Sequence, residues 1–252
     1  MEIGELNSSA HLWYIEPDSI SSVRILENCE KILSDQELAR YRRLRFKRDR
    51  HLYLVSHAMV RNVLSCYANI LPYQWYFTTT KSGKPEVANE GYYNLRYNLS
   101  HTAGLVVCLV TLSSDCGVDV ENISNCPLTA SVGKEILSPS EYEQLNRLNG
   151  RAKKEYFLTC WTLREAYTKA RGLGLAFPLR KLSFNIKSPE KIDISFEDDI
   201  KDDAKNWQFE LVNISSQHIS AAAIYCEKLN NKRIHKYRMS DDMESYVEIT
   251  TT

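Results

Sequence analysis

The sequence CGVDVE, at residues 116–121, has the alternating pattern of a β-strand, and the rest of the fold can be built around it. Side chains alternate between the two faces of a strand, so the two valines would point to one side and Asp119 and Glu121 to the other. Forty residues further on, the sequence WTLREAYTK at residues 161–169 has the pattern of a helix. We expect this helix to pack beside the strand.

One face of this helix carries Trp161, Glu165 and Lys169, which recur at every fourth position. If that face packs on the strand, Glu165 joins Asp119 and Glu121. The ammonium group of Lys169 then lies one turn beyond the three carboxylates. Hard oxygen ligands of this kind suit Mg²⁺, which proteins usually hold through a few carboxylates together with phosphate and water. The sequence therefore predicts a site for phosphate chemistry.

A short repeat divides the chain. The sequence ILSDQE at residues 32–37 resembles ILSPSE at residues 136–141, and both contain the S-x-x-E pattern of a helix capping box. Each copy is followed by a longer helical pattern, over roughly 49–67 and 152–171. The short match alone could arise by chance, but the matching order of elements favours a duplication.

Short strand-like runs follow each long helix, so we predict an α+β fold of two similar halves related by a pseudo-two-fold axis. Each half would be a helix packed on a small antiparallel sheet. The predicted divisions are an N-terminal half, a C-terminal half and a charged tail that is partly disordered; these are residues 1–113, 114–228 and 229–252. The acidic residues 197–203 are expected at a solvated hairpin tip. The strand-like runs are residues 74–79, 97–99, 104–112, 182–186, 192–196, 207–212 and 218–225.

Composition excludes some classes of protein. The chain has 252 residues, of which 43% are hydrophobic and 25% charged. Its formal net charge is zero, so no overall electrostatic field attracts it to nucleic acid or to a membrane surface. Its seven cysteines show no C-x-x-C spacing, which is typical of a reduced, cytoplasmic protein. The longest apolar run, residues 105–110, is far too short to span a membrane. We therefore expect a soluble cytoplasmic protein.

Four motifs together resemble the 4′-phosphopantetheinyl transferases of the surfactin-synthetase-activating (Sfp-like) class. They are GKP at residues 83–85, NLSH at 98–101, GVDVE at 117–121, and WTLREAYTK followed by GLGL at 161–175. Their order and spacing are family-like over roughly residues 34–225. In two departures, Arg164 replaces the usual lysine, which keeps the charge but changes the hydrogen-bond geometry, and Tyr97 replaces a common phenylalanine.

The resemblance implies transfer of the phosphopantetheine arm of coenzyme A to a serine of an apo acyl or peptidyl carrier protein, with release of adenosine 3′,5′-bisphosphate. It implies that Asp119, Glu121 and Glu165 hold Mg²⁺, with Mn²⁺ as the alternative ion, against the pyrophosphate. Glu165 would be the general base, although the resemblance leaves the choice of carboxylate open. Lys169 would stabilise or protonate the departing phosphate.

The resemblance also implies where coenzyme A binds. Ser100 and His101 would contact its 3′-phosphate, and Lys84 and Pro85 would lie beside the nucleotide. The basic run at residues 40–50 would bind phosphates, with Arg40, Arg43 and Lys47 as the expected contacts, although this segment is the least specific part of the resemblance. Coenzyme A and Mg²⁺ are expected in a cleft between the halves. A monomer is expected, because a duplicated chain completes its own site.

Simpler interpretations exist for each feature alone. Glu165 and Lys169 could be an ordinary ion pair on a helix surface. Asp119 and Glu121 could lie on the solvent-exposed face of an edge strand. Trp161 is expected in the core under either interpretation. The basic run could bind nucleic acid or be a solvated helix face. A non-catalytic carrier-protein or nucleotide-binding module of the same fold is the main alternative. The conjunction of the motifs favours the enzyme.

Overall fold

The computed structural model describes residues 1–174, 177–227 and 230–249. The fold is α+β, as predicted, with six α-helices in those ranges and small, mostly antiparallel sheets. The helices are α1 (Val23–Ile32), α2 (Asp35–Arg43), α3 (Lys47–Ser65), α4 (Ala130–Ile136), α5 (Pro139–Asn146) and α6 (Gly150–Arg171). The strands are β1 (Ser9–Ile15), β2 (Phe77–Thr79), β3 (Pro85–Val87), β4 (Leu95–Thr102), β5 (Leu105–Leu112), β6 (Cys116–Asn122), β7 (Leu182–Ser188), β8 (Lys191–Phe196), β9 (Trp207–Leu211), β10 (His218–Tyr225), β11 (Arg233–Met239) and β12 (Tyr246–Ile249).

The chain divides into two compact units. The N-terminal unit consists of residues 1–78, 85–113 and 233–252, and the C-terminal unit consists of residues 79–84 and 114–232. No helix in the described ranges is both long enough and apolar enough to cross a membrane.

The N-terminal unit is built on a five-stranded sheet in the order β12-β11-β1-β5-β4. Strands β1 and β5 are almost wholly buried, and they pair with each other in antiparallel fashion. Helix α3 adds apolar side chains to the same core, including Leu54, Met59 and Val63. This unit thus has its own hydrophobic core.

The C-terminal tail, which was expected to be partly disordered, contains two strands, β11 and β12. Strand β11 pairs with β1 in parallel, from Ser9 opposite Arg233 onward, and β12 pairs with β11. Tyr237 of β11 stacks on Trp13 of β1 with ring centroids 4.9 Å apart. Residues 233–239 and 246–249 thus form paired strands, and the expectation of disorder is wrong for them. Residues 228, 229 and 250–252 lie outside the described part of the chain.

The C-terminal unit contains a three-stranded antiparallel sheet in the order β6-β10-β9. Helix α6 covers one face of it, and its residues Leu163, Ala166 and Ala170 share a core with Ala221 and Ala223 of β10. The hairpin of β7 and β8 adds further apolar side chains to this core. A long helix on a small sheet is therefore the plan of this unit also.

Both predicted capping boxes are confirmed. The Ser34 hydroxyl accepts from the Glu37 amide at 3.3 Å, and the Glu37 carboxylate accepts from the Ser34 amide at 2.8 Å. Ser138 and Glu141 make the same two bonds, at 3.4 and 2.9 Å. Each box starts the short helix that precedes the long helix of its unit, α2 before α3 and α5 before α6.

The acidic segment 197–203 is not a hairpin tip, because β8 and β9 on either side of it belong to different sheets. It is also not fully solvated. The Asp202 side chain is 5% exposed, and it accepts hydrogen bonds from Tyr167 and Trp207 and pairs with Arg171. Asp202 thus anchors the last turns of α6.

A buried histidine makes the stability of the N-terminal unit depend on pH. His11 is 1% exposed, with Nδ1 at 2.8 Å from the Tyr67 hydroxyl and Nε2 at 3.1 Å from the Ser9 hydroxyl. Burial, and then the neighbouring His235, lower the pKa of His11 from 6.5 to about 4, against the opposing charge of Glu248. The unfolded chain binds this proton more readily than the folded one.

We therefore expect full stability above pH 6.5 and a progressive loss as the pH falls to about 4. The loss in the free energy of unfolding should be at most about 3 kcal/mol. Urea denaturation at several pH values measures it. The variant His11→Gln should flatten the curve in this window, whereas His235→Gln should keep most of the slope. An unchanged slope in His11→Gln would contradict the assignment.

Candidate active site

Helix α6 lies directly against strand β6 at Gly117. A methyl group at Gly117 would lie 2.0 Å from the Ala166 carbonyl oxygen and 2.5 Å from the Ala170 nitrogen. Both atoms belong to the backbone of α6, so only glycine permits this approach. Because side chains alternate along the strand, Asp119 and Glu121 face the helix together with Gly117.

Two contacts join the predicted residues of the strand to those of the helix. The Lys169 ammonium donates to Asp119 Oδ1 at 2.6 Å and to the Val118 carbonyl at 3.3 Å. One end of the same helix face is held by Trp161, whose indole nitrogen donates to Glu121 Oε1 at 3.2 Å. Glu165 lies between these two contacts on α6, one turn from each. The strand and the helix therefore form one cluster of acidic groups.

Burial and nearby negative charge raise the pKa of two carboxyl groups in this cluster. Burial, and then the negative charge of Asp119, raise the pKa of Glu165, while Lys169 opposes the rise. Burial and the charge of Asp119 also raise the pKa of Glu121, against the hydrogen bond from Trp161 and the charge of Lys169. Three carboxylates against one ammonium group leave an excess of negative charge in a partly desolvated site. A bound cation would relieve it.

The donor chemistry of the cluster fits a hard divalent cation. Asp119 is 4% exposed, its Oδ2 atom is buried, and all three acidic side chains offer only oxygen. In the ranges that the structure describes, no group of three or more His, Cys, Asp or Glu side chains is already close enough to hold an ion. The oxygens suit Mg²⁺ by type and charge, and Lys169 contacts Asp119 directly in this arrangement.

Trp161 has a role that the sequence did not indicate. As expected it packs against a hydrophobic core, beside Phe157, but it is half-buried and also donates to Glu121 through its indole nitrogen. Its position in line with Glu165 on the helix was the one available signal. The indole thus orients a carboxylate.

Lys84, which was predicted to lie beside the nucleotide of coenzyme A, contacts helix α6. Its ammonium group donates to the carbonyl of Ala170, near the end of α6, at 2.7 Å and lies 3.8 Å from Asp115. The side chain is 9% exposed. Lys84 thus ties the segment 79–84 to the C-terminal end of the helix, where a cation is favourable.

The other predicted coenzyme A contacts belong to the N-terminal unit. Arg40 and Arg43 are exposed near the end of α2, and Lys47 is the exposed first residue of α3. Pro85 begins β3, and β4 carries the buried Ser100 and the exposed His101. Leu175, the last residue of the GLGL motif, lies outside the described residues.

Two distant solved structures resemble the chain in part. Holo-(acyl-carrier-protein) synthase from Bacillus anthracis, in complex with CoA (3′,5′-ADP), gives a TM-score of 0.37 at 16% identity over 44% of this chain and 94% of that one. The corresponding synthase from Thermotoga maritima gives a TM-score of 0.35 at 20% identity over 49% of this chain and 66% of that one.

Sequence relatives are closer. HetI, a 4′-phosphopantetheinyl transferase from a Nostoc species, is 33% identical over 68% of this chain and 72% of its own length. The 4′-phosphopantetheinyl transferase Sfp from Bacillus subtilis is 26% identical over 68% of this chain and 75% of its own. Residues 22–113 match the family described as "4′-phosphopantetheinyl transferase, N-terminal", and residues 115–224 match the "4′-phosphopantetheinyl transferase superfamily". With its acidic cluster on β6 and α6, this chain belongs to the 4′-phosphopantetheinyl transferase superfamily and is a transferase.

Proposed function

We propose that the chain transfers the 4′-phosphopantetheine arm of coenzyme A to a serine hydroxyl of an apo acyl or peptidyl carrier protein. The second product is adenosine 3′,5′-bisphosphate. The observation that carries this proposal is the cluster in which Lys169 contacts Asp119 beside two carboxylates of raised pKa. The cluster combines the acidic, basic and cation-attracting groups that a phosphoryl-transfer reaction needs.

Glu165 is the proposed general base. Its raised pKa, which follows from burial and from the charge of Asp119, makes its carboxylate a better proton acceptor for a serine hydroxyl than an exposed glutamate. The ammonium group of Lys169, one turn further along α6, is the proposed donor to the phosphate oxygen that leaves with the nucleotide. On either side of Glu165, Trp161 holds the carboxylate of Glu121 and Asp119 holds the ammonium group of Lys169.

Asp119, Glu121 and Glu165 are the proposed ligands of Mg²⁺. When bound, the ion would neutralise the negative charge of the pyrophosphate. The excess negative charge of the cluster and the oxygen-only donor set support this assignment. Mn²⁺ has the same preference for oxygen and is the proposed substitute.

Coenzyme A is the proposed co-substrate, with contacts from the basic end of α2, from β4 and from the segment around residue 84. Lys84 is one of the proposed contacts, although its ammonium group already donates to the carbonyl of Ala170. The proposed contacts are Arg40, Arg43, Lys47, Lys84, Pro85, Ser100 and His101.

We also propose that the protein is a cytoplasmic monomer that acts without nucleic acid or membrane. The described ranges include all seven cysteines and contain no disulfide, which suits a reducing compartment.

Intact-mass analysis of an apo carrier protein tests the proposal. After incubation with this protein, coenzyme A and Mg²⁺, we expect a mass gain equal to one phosphopantetheine arm. Asp119→Asn should lower the rate about a hundredfold or more, because it removes a charge worth several kcal/mol at the reacting phosphate. The matched control Asp193→Asn, in an exposed pair with Lys187, should keep the wild-type rate.

The same experiment separates the alternatives. Failure to modify acyl, aryl and peptidyl carriers, with coenzyme A still bound, would favour a non-catalytic module of the same fold. Failure to bind coenzyme A at all would contradict the proposal as a whole.

A further inference from the structure

Arg164, which precedes Glu165, is fully buried, and all three of its guanidinium nitrogens donate hydrogen bonds. It forms an ion pair with Glu141, and its guanidinium plane lies 5.3 Å from the ring centre of Phe184. The guanidinium also donates to four backbone carbonyls at 2.7–3.2 Å, with Nε–H shared between two of them; the carbonyls are those of Ile136, Leu179, Cys160 and Leu182. One side chain thus joins the end of α4, helix α6 and the start of β7.

Glu141 extends this connection. It closes the capping box of α5 by accepting from the Ser138 amide, and its other oxygen accepts from the Phe184 amide at 2.9 Å. Glu141 therefore links α5 to β7 while it neutralises Arg164. We call Glu141 and Arg164, with the carbonyls they bind, the C-terminal clamp.

The N-terminal unit contains the same arrangement at Arg61. Arg61 is 1% exposed, and it donates to the capping-box carboxylate of Glu37 at 2.6 Å. It also donates to the carbonyls of Pro72 and Trp75, at 3.0 and 3.1 Å, and lies 5.1 Å from the ring centre of Phe77. We call this the N-terminal clamp.

The two clamps match in sequence spacing as well as in chemistry. The capping glutamates are 104 residues apart, the arginines 103, and the two carbonyl acceptors and the aromatic ring 107 each, counted from Glu37 to Glu141, Arg61 to Arg164, and so on. Both clamps therefore perform the same structural task, but only the C-terminal clamp sits on a helix that carries acidic site residues.

We propose that Arg164 is a positioning residue, which fixes the turn of α6 that carries Glu165 relative to β6 by holding α6 to α4, α5 and β7. The proposal rests on the proposed function for its catalytic consequence. Arg164 itself does not touch the reacting groups, because its guanidinium is used up by Glu141 and the backbone carbonyls.

Lysine cannot perform this task in the present surroundings. The three N–H donors of lysine lie on a single nitrogen atom. The carbonyl acceptors of the clamp and the Glu141 carboxylate are instead arranged around the three nitrogens of a planar guanidinium group. In Arg164→Lys some of these buried carbonyls would lose their hydrogen bonds. Because unpaired buried carbonyls are costly, α6 would shift to a position in which they form other hydrogen bonds. A shift of about 1 Å at a catalytic group can cost about a hundredfold in rate.

The test compares Arg164→Lys with its matched control, Arg61→Lys. Both should lose similar thermal stability, since each breaks an equivalent clamp. We expect Arg164→Lys to lower kcat about 10- to 100-fold and leave the KM for coenzyme A within about threefold, and Arg61→Lys to keep kcat within about threefold. Equal losses of kcat in the two variants, or a wild-type kcat in Arg164→Lys, would overturn the proposal.

Hydrogen exchange at the Phe184 amide provides a readout that does not depend on activity. That amide donates to Glu141, so its exchange should be faster in Arg164→Lys and unchanged in Arg61→Lys. If the wild-type protein modifies no carrier, the proposed function fails while this measurement still tests the clamp. Unchanged exchange in Arg164→Lys would refute the clamp itself.

A milder pair of variants covers the case in which Arg164→Lys does not fold. Glu141→Gln keeps an oxygen for the capping box but removes the charge, and Glu37→Gln is its control in the N-terminal unit. The same split is expected with smaller effects: kcat falls in Glu141→Gln only. A fall of equal size in both would assign the clamp a purely structural role.

Discussion

Replacing Gly117 with alanine is expected to have the largest effect of any single methyl group added to this protein. The new carbon would lie 2.0 Å from a carbonyl oxygen and 2.5 Å from a nitrogen of the α6 backbone, which cannot rotate away as a side chain could. Helix α6 would have to move off β6, and Glu165 and Lys169 would move with it. We expect a loss of about 3 kcal/mol or more in the free energy of unfolding, at the upper end of overpacking effects.

Transfer activity of Gly117→Ala should fall by about a hundredfold or more even under conditions in which the protein is folded, because the groups proposed to act in catalysis lose their alignment. Urea denaturation and the carrier mass assay measure the two effects. The control is Gly4→Ala, where an added methyl group meets nothing within 4 Å. Near wild-type stability in Gly117→Ala would show that the strand and helix are not in the contact described.

Replacing Glu165 with glutamine is expected to abolish most activity and yet stabilise the protein. Glutamine resembles the protonated carboxyl group, and the raised pKa of Glu165 means that the folded site favours that form over the charged one. Without divalent cations, the free energy of unfolding at neutral pH should therefore rise. Transfer should fall by about a hundredfold or more, since the proposed base is lost.

The advantage of Glu165→Gln should shrink as the pH falls. The wild-type carboxyl group takes up its proton through its raised folded pKa, so the wild type regains this stability in acid. Thermal melts at several pH values, with and without Mg²⁺, check this, and added Mg²⁺ should raise the melting temperature of the wild type more than that of the variant.

The matched control for Glu165→Gln is Glu155→Gln on the same helix, where the carboxylate pairs with Arg151 at the surface. It should change stability by less than about 0.5 kcal/mol and leave activity intact. A clear destabilisation by Glu165→Gln would contradict the crowding of like charges in the cluster.

The sequence predicted the elements whose signals are local. The long helices predicted over 49–67 and 152–171 appear as α3 and α6 with ends within two residues, and the strand predicted over 218–225 is β10 without change. Amphipathic periodicity and capping boxes are properties of neighbouring residues, so they can be recognised before the fold is known.

Elements that depend on distant partners were missed. Strand β11 pairs with β1 across more than two hundred residues, Ser9 with Arg233, and its alternation of charged and apolar residues resembles a solvated tail until Tyr237 is seen against Trp13. Asp202 was assigned to solvent for the same reason, because its partners Tyr167 and Arg171 lie on another element.

The acidic cluster was predictable because a period of two on a strand and a period of four on a helix place its members. The environment of each member was not. Arg164 was recognised as a departure from the usual lysine, but its burial among carbonyl groups depends on α4, α5 and β7, which no local pattern brings together. The contact of Lys84 with Ala170 is equally non-local.

The return of β11 and β12 to the N-terminal unit also determines the order in which the protein can mature on the ribosome. Synthesis proceeds from the N-terminus, so the C-terminal unit has all its residues once residue 232 has emerged. At that moment β1 has only one of its two neighbours, and its open edge is a site for unwanted pairing. The N-terminal unit, although its first strands are translated earlier, is therefore completed after the C-terminal unit, and the edge of β1 stays open until β11 has emerged.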